Sequence, residues 1–352
     1  IFRVHAALLS PVHSLLLSAA LPMSARRACN SPGTEVILNS IVGALIEEGR
    51  MPTGAMIDAG ANQGEWACFY ASVVRDNRTV FAMDPMEANV RRIWNRYVLK
   101  AGLRNLQPSV GILGSVDGTI SRSALGKQSA SQQYNNLHLL NSPTRGVRGA
   151  DLGGLSVYTV DGLFQGAWRG QRLGFAHWDV EGSELDVLRG AVETIARDQP
   201  IFTVEVHVHQ DQNYTTNLLQ YIDWISYDAF LVEEIVGRRY DGRNLLCVPR
   251  SRRAELALSS TLDLAAAARA IFAVNANSVH EHAYPCCKPG GKCCPALGSR
   301  CCRSGDTLRW HRRQVAEWGR ANSSFRGRNP LLFTHVNFFS QSRYKWSALK
   351  SG

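Results

Sequence analysis

The chain has 352 residues, 45% of them hydrophobic, and a formal net charge of +10. That is enough chain for one large domain with appendages or for two domains, with the apolar share of a globular protein that has a real core. The charge sits at the ends: residues from Arg303 onward carry +8, residues 1–34 carry +3, and the body between them carries −1, which argues against a nucleic-acid groove across the core.

Residues 1–33 contain no acid and are rich in Ser, Ala and Leu. They read as an N-terminal extension or targeting segment. Pro11 and His13 interrupt the apolar run, which weakens a membrane-anchor reading and leaves membrane association open. From 34 to 250 helices and strands alternate. Residues 34–50 read as a helix, "GAMIDAG" (54–60) as a buried strand, and 63–75 as a helix. A second strand, "TVFAMDP" (79–85), stops at Pro85 and leads into an amphipathic helix over 86–102. A third strand spans 106–114. Residues 115–154 are rich in Ser, Gly and Asn; a hairpin and a loop that shapes the acceptor pocket are expected there. Residues 155–160 are strand-like, 174–180 form a buried strand followed by a helix to Arg197, and 200–208 form the next strand before a helix to Ser226. Residues 228–236 and 244–250 close the set as a hairpin around "RYDG".

This alternation predicts an α/β fold: a Rossmann-like, doubly wound, mostly parallel sheet with a terminal antiparallel hairpin. Three appendages follow: an Ala-rich helical segment (251–283), a small Cys-rich C-terminal module (284–303) and a basic tail (304–352). Cys29, Cys68 and Cys247 are scattered, but "CCKPGGKCCPALGSRCC" packs six cysteines between Cys286 and Cys302. Such a stretch needs disulfides or metal, and the spacing is not a pair of CxxC pairs, so disulfides are expected over zinc. With N-x-S/T sequons at Asn77, Asn213 and Asn322, this favours the secretory pathway or an organelle over the cytoplasm.

Ligands of such sheets bind at the carboxyl ends of the strands, where Asp58, Asp84, Asp179 and Glu205 all fall. "DAGANQGEW" follows the first strand and opens a helix. Gly60 and Gly64 allow the backbone close to a ligand and tolerate positive φ. Asn62 is placed to cap the helix. Asp84, ending the second strand, is placed to accept from two ribose hydroxyls. A glycine loop followed by a second-strand acid is a nucleoside-binding plan. The glycines are spaced G-x-x-x-G rather than G-x-G-x-x-G, and Asp58 suits a cation better than a pyrophosphate. The sulfonium and α-amino groups of S-adenosylmethionine meet that requirement.

"WDVEGSELDVLRGA" poses the second question, because it sets acids where a buried strand becomes a helix. By strand alternation His177, Asp179 and Glu181 share one face, and Thr203, Glu205, His207 and His209 share another on the next strand. At the rim the two sets converge. Asp179, Glu205 and His207 are the catalytic candidates for taking a proton from an acceptor hydroxyl. Glu181 and Glu184 read as carboxylates serving the helix N-terminus, and Trp66 and Trp178 as packing. Asp179, Glu205, His207 and His209 are also the residues a divalent ion would use, but no i,i+4 His pair or third ligand is identifiable and no metal is expected.

"DAGANQGEWACFYA", "AMDPMEANVRR", "YTVDGLF" and "WDVEGSELDVLRGA…PIFTVEVH" together resemble the successive blocks of FkbM-type methyltransferases, over about 54–250. The resemblance implies a Rossmann-like O-methyltransferase that uses S-adenosylmethionine and acts on a small molecule or glycan. Asp84 stands where Glu is more usual in that family, and the cysteine cluster and basic tail lie outside its domain. Two rivals remain: a nicotinamide oxidoreductase, disfavoured by the glycine spacing, and a non-catalytic interaction protein with a vestigial domain, disfavoured by the intact Asp58, Gly60, Gly64 and Asp84. No [DN]-P-P-[YFW] block for a flipped base is present, so no nucleic-acid partner is expected.

Overall fold

The structure, a computed structural model, describes residues 29, 35–74, 78–121, 154–207, 212–232, 242–252 and 271–279. The expected Cys-rich module and basic tail lie outside these residues, as do most of the Ala-rich segment, of 1–33 and of 115–154.

In chain order the elements are α1 (Val36–Glu47), β1 (Ala55–Ala59), α2 (Glu65–Val74), β2 (Val80–Asp84), α3 (Glu87–Ile93), a π-helix (Trp94–Lys100), β3 (Leu106–Val110), β4 (Ile112–Leu113), β5 (Gly118–Ser121) and β6 (Gly154–Tyr158). Then come α4 (Val160–Gln165), β7 (Leu173–Trp178), α5 (Glu184–Arg189), α6 (Val192–Asp198), β8 (Ile201–His207), α7 (Gln212–Trp224), β9 (Tyr227–Val232), β10 (Gly242–Pro249) and β11 (Ile271–Val274). Every residue of β1, β2 and β7 is buried, as expected of parallel strands covered on both faces.

The main sheet runs β11-β9-β10-β8-β7-β1-β2-β3. Strands β3, β2, β1, β7 and β8 pair in parallel. One apolar cluster joins α1, α2 and α3 to one face of the sheet, and a second joins α4 to α7 to the other. The doubly wound reading is therefore correct. The expected hairpin strand β10 lies between β8 and β9 and is antiparallel to both. A second antiparallel strand, β11, pairs with β9. It occupies part of the stretch expected to be helical, because the apolar run Ile271–Val274 completes the sheet edge.

Three elements break where the local pattern runs on, twice at a glycine where another part of the chain comes too close for a side chain. The strand expected over 106–114 divides at Gly111, where a Cβ would meet the Tyr158 ring at 2.9 Å. Beyond it β4 joins a separate sheet, β4-β6-β5, which also takes the strand expected at 155–160. The helix expected to reach Arg197 divides at Gly190, where a Cβ would lie 2.1 Å from the Gly114 carbonyl oxygen. The helix expected over 86–102 changes winding at Trp94.

The N-terminal side is fixed by two long-range links. Cys29 and Cys68 form a disulfide, 39 residues apart, so these two cysteines are partners rather than isolated residues. Buried Glu35, just before α1, accepts from Trp66 Nε1 on α2 and Asn244 Nδ2 on β10. Among the described residues no helix is long and apolar enough to cross a membrane.

Candidate active site

Strands β1 and β7 are neighbours whose following helices pack on opposite faces, which makes their carboxyl ends the switch point where such sheets bind ligands. A cleft opens there, lined by Ala59, Gly60, Met83, Pro85, residues 111–113, Asp179, Val180 and Ser183.

The loop after β1 is held mainly by the protein itself. Gly60 has φ 79°, and a Cβ there would lie 1.7 Å from the Asp179 carbonyl oxygen. Gly64 has φ 77°, and a Cβ there would press on Ile93 Cγ1 at 2.6 Å. Both glycines thus let β1 meet β7 and α2 meet α3, a demand prior to any ligand's. Asn62 adopts φ 45° with its side chain exposed. Its backbone N–H donates to Asp84 Oδ2 at 2.8 Å. The helix-start acceptor expected of Asn62 is instead Asp58, whose Oδ2 accepts from the Ala67 N–H at 2.8 Å.

Asp58 is buried, and desolvation, reinforced by Asp179 and Asp84, raises its pKa to about 8. Asp84 is fully buried. Its Oδ1 accepts from Met86 N–H at 2.8 Å and Asn89 Nδ2 at 3.1 Å, and its Oδ2 from Asn62 N–H. A carboxylate offers about four acceptor positions, so one is left where the sequence suggested two. Burial raises the pKa of Asp84 as well.

At the end of β7 the two expected faces do converge. His177 pairs across to Thr203, and their Nδ1 and Oγ1 share a hydrogen bond of 2.7 Å. The His177 ring packs at a 30° tilt against Trp66, with ring centres 4.6 Å apart. Burial lowers its pKa to about 3, so it is neutral at physiological pH. One step further along, Asp179 and Glu205 are joined by a side-chain hydrogen bond. Glu205 is raised well above the usual carboxylate range, first by burial and then by Asp179, Glu181 and Glu184. Both effects favour its protonated form. Carboxylate oxygens of Asp179, Glu181 and Glu205 lie within 4.8 Å of one another, close enough to share an ion; a proton on Glu205 would relieve the same repulsion.

Glu181 joins this cluster although the sequence assigned it to the helix end. Its φ of 55° turns the chain sharply, a conformation rare for a non-glycine residue and concentrated at functional sites. Glu184 does serve the turn: Oε1 accepts from Val180 and Gly182 N–H at 3.2 and 3.0 Å, and Oε2 from the Tyr214 hydroxyl at 2.7 Å. His207 closes β8; its side chain, like the whole of His209, lies outside the described residues. Asp198, near the opposite end of the sheet, gives the contrast. Burial raises it, but hydrogen bonds from Arg197, Leu173 N–H and Arg172 outweigh burial and hold it below the usual range. The carboxyl groups whose pKa burial raises overall are at the cleft end, the pattern of a functional site.

The doubly wound sheet, its switch-point cleft and the acids ending β1 and β2 define a Rossmann-like methyltransferase domain. The sequence profile of the FkbM methyltransferase domain matches residues 58–233, half of the chain, and the protein belongs to this family. Among solved structures, the FkbM methyltransferase from Methylobacillus flagellatus is 15% identical, with a TM-score of 0.37 over 64% of this chain and 58% of that one. This chain thus spans less than two thirds of that relative. Aeropyrum pernix fibrillarin, solved with bound S-adenosyl-L-methionine, is 12% identical with a TM-score of 0.33 over 60% of this chain and 76% of that one. A SAM-dependent methyltransferase from Aquifex aeolicus is 11% identical with a TM-score of 0.30 over 59% of this chain and 89% of that one. No curated protein matches the chain.

Proposed function

We propose that the protein is an S-adenosylmethionine-dependent O-methyltransferase acting on a hydroxyl of a small molecule or glycan. The observation that carries this reading is Asp179 in the wall of the switch-point cleft, hydrogen-bonded to Glu205. The methyl donor supplies a methyl group on a positively charged sulfur. The chain's residues fit such a ligand. Asp58 is a buried carboxyl with a pKa of about 8, and a cation beside it favours its ionised form. We assign the remaining acceptor position of Asp84 to one ribose hydroxyl. Glu205, neutral and hydrogen-bonded to Asp179, orients that carboxylate; Asp179 takes the proton that the acceptor hydroxyl loses. His207 is proposed to stand behind Glu205.

In Asp179→Asn turnover should fall at least about a hundredfold, and in Glu205→Gln, which keeps a neutral donor beside Asp179, much less, with calorimetric affinity for S-adenosylhomocysteine little changed in either. Methyl transfer should survive chelation of divalent ions. Loss of activity only in parallel with loss of folded protein would make the block structural. Binding of NADH in place of S-adenosylhomocysteine would favour the oxidoreductase reading. The Cys29–Cys68 disulfide supports residence in an oxidising compartment, where residues 284–303 would form a disulfide module outside the catalytic domain.

A further inference from the structure

The segment from α3 to Arg104 carries a surface that methyl transfer does not use. It holds Arg91, Arg92, Arg96, Lys100 and Arg104 against one acid, Glu87, in a body whose other residues sum to −5. Glu87 pairs with Arg91 at 3.2 Å, which leaves four cations in excess along the segment. All five cations are exposed, while Ile93, Tyr97 and Ala101 are buried against the sheet. On the outer side Trp94 is 45% exposed and Leu99 is 63% exposed.

The winding of the helix brings these two apolar residues together. In an α-helix, residues five apart point about 140° away from each other. From Trp94 to Lys100 the chain is a π-helix instead, and its i→i+5 ladder sets residues five apart near one face. Trp94 and Leu99 therefore share a side of this cation-rich segment.

We propose that this face docks on an anionic lipid bilayer. Trp and Leu on the outer side of a cation-rich helix are the composition of an interfacial segment: the apolar groups enter the headgroup boundary and the cations meet anionic lipid. A soluble polyanion would engage the cations but gain nothing from Trp94 and Leu99.

The test is flotation of the full-length chain with vesicles of phosphatidylcholine, alone or mixed with phosphatidylserine, at physiological salt. The parent should bind the mixed vesicles and not the neutral ones. Each cation near an anionic surface contributes about fivefold in partitioning, so Arg92→Ala/Arg96→Ala should lose about twentyfold or more. Trp94→Ser/Leu99→Ser should lose binding to a similar degree, with far-UV dichroism and the thermal midpoint as checks on folding. Leu99→Gln alone, at the more exposed position, keeps the test readable if the double variant unfolds. Three results overturn the proposal. The parent fails to bind mixed vesicles; or both double variants bind like the parent, which assigns binding to the basic tail; or only the arginine variant weakens, with matching loss of retention on a sulfated polymer, which makes the face a soluble-polyanion site.

Discussion

Glu184 offers a sharp test of how the acidic turn is held. Its side chain is 1% exposed, and it accepts from two backbone N–H groups and from Tyr214. The Tyr214 hydroxyl in turn accepts from the Leu185 N–H at 3.1 Å, so two residues on different helices close one network. Burial, and then Glu184, keeps the Tyr214 phenol protonated. Glu184→Gln leaves one oxygen for these donors. If that oxygen stays with Val180 and Gly182, the new amide faces Tyr214 and the phenol hydrogen loses its acceptor. Losing a bond to a charged group and stranding a buried donor should cost about 2–3 kcal/mol in all. Tyr214→Phe, which strands the Leu185 N–H, should cost about 1–3 kcal/mol. Urea unfolding of both singles and the double, with the disulfide intact, gives the coupling, expected to be at least about 0.5 kcal/mol. Turnover should also drop in the folded variants, because this turn carries Asp179 and Glu181. A Glu184→Gln cost within about 0.5 kcal/mol, or strict additivity, would refute the network.

Gly60→Ala should lose about 3–5 kcal/mol or fail to fold, since the new Cβ meets the Asp179 carbonyl. Gly102→Ala, also at positive φ but with nothing within 4 Å, should cost only about 1–2 kcal/mol; equal costs in thermal melts would contradict the clash. Asp58 keeps its proton to about pH 8 when folded, against an ordinary pKa of 3.8. Between those values the unfolded chain binds fewer protons, so this contribution to stability falls as pH rises from about 4 to about 8 and then levels. Asp58→Asn keeps an oxygen for Ala67 and should flatten that part of the profile; an identical slope in parent and variant would exclude it. Cys29→Ser should lower stability by at most about 4 kcal/mol, the chain-entropy value for a loop of 39 residues; a melting midpoint indifferent to reductant would argue against the bond.

The sheet was legible in the sequence because its causes are local. Continuous apolar runs ending at Asp58, Asp84 and Trp178 mark parallel strands, and the period of two put Asp179 on one face with His177 and Glu205 on one face with Thr203; the register that brings them together is that of β7 on β8. The glycines of the first loop were legible as positions of unusual backbone, but not what fills the space beside them: Asp179 for Gly60 and Ile93 for Gly64. What the tertiary structure decided depends on groups far apart in the chain. Glu35 meets Asn244 across 209 residues, Cys29 meets Cys68, and Tyr214 reaches Glu184 from α7; no periodicity encodes such meetings. The use of each carboxylate is likewise a matter of surroundings. Desolvation and neighbouring acids favour the protonated form of Glu205, two arginines favour the ionised form of Asp198, and three donors leave Asp84 a single acceptor position. Glu181 points into the cluster only because its backbone turns left-handed, and β11 became a strand only because the edge of β9 was there to pair with it.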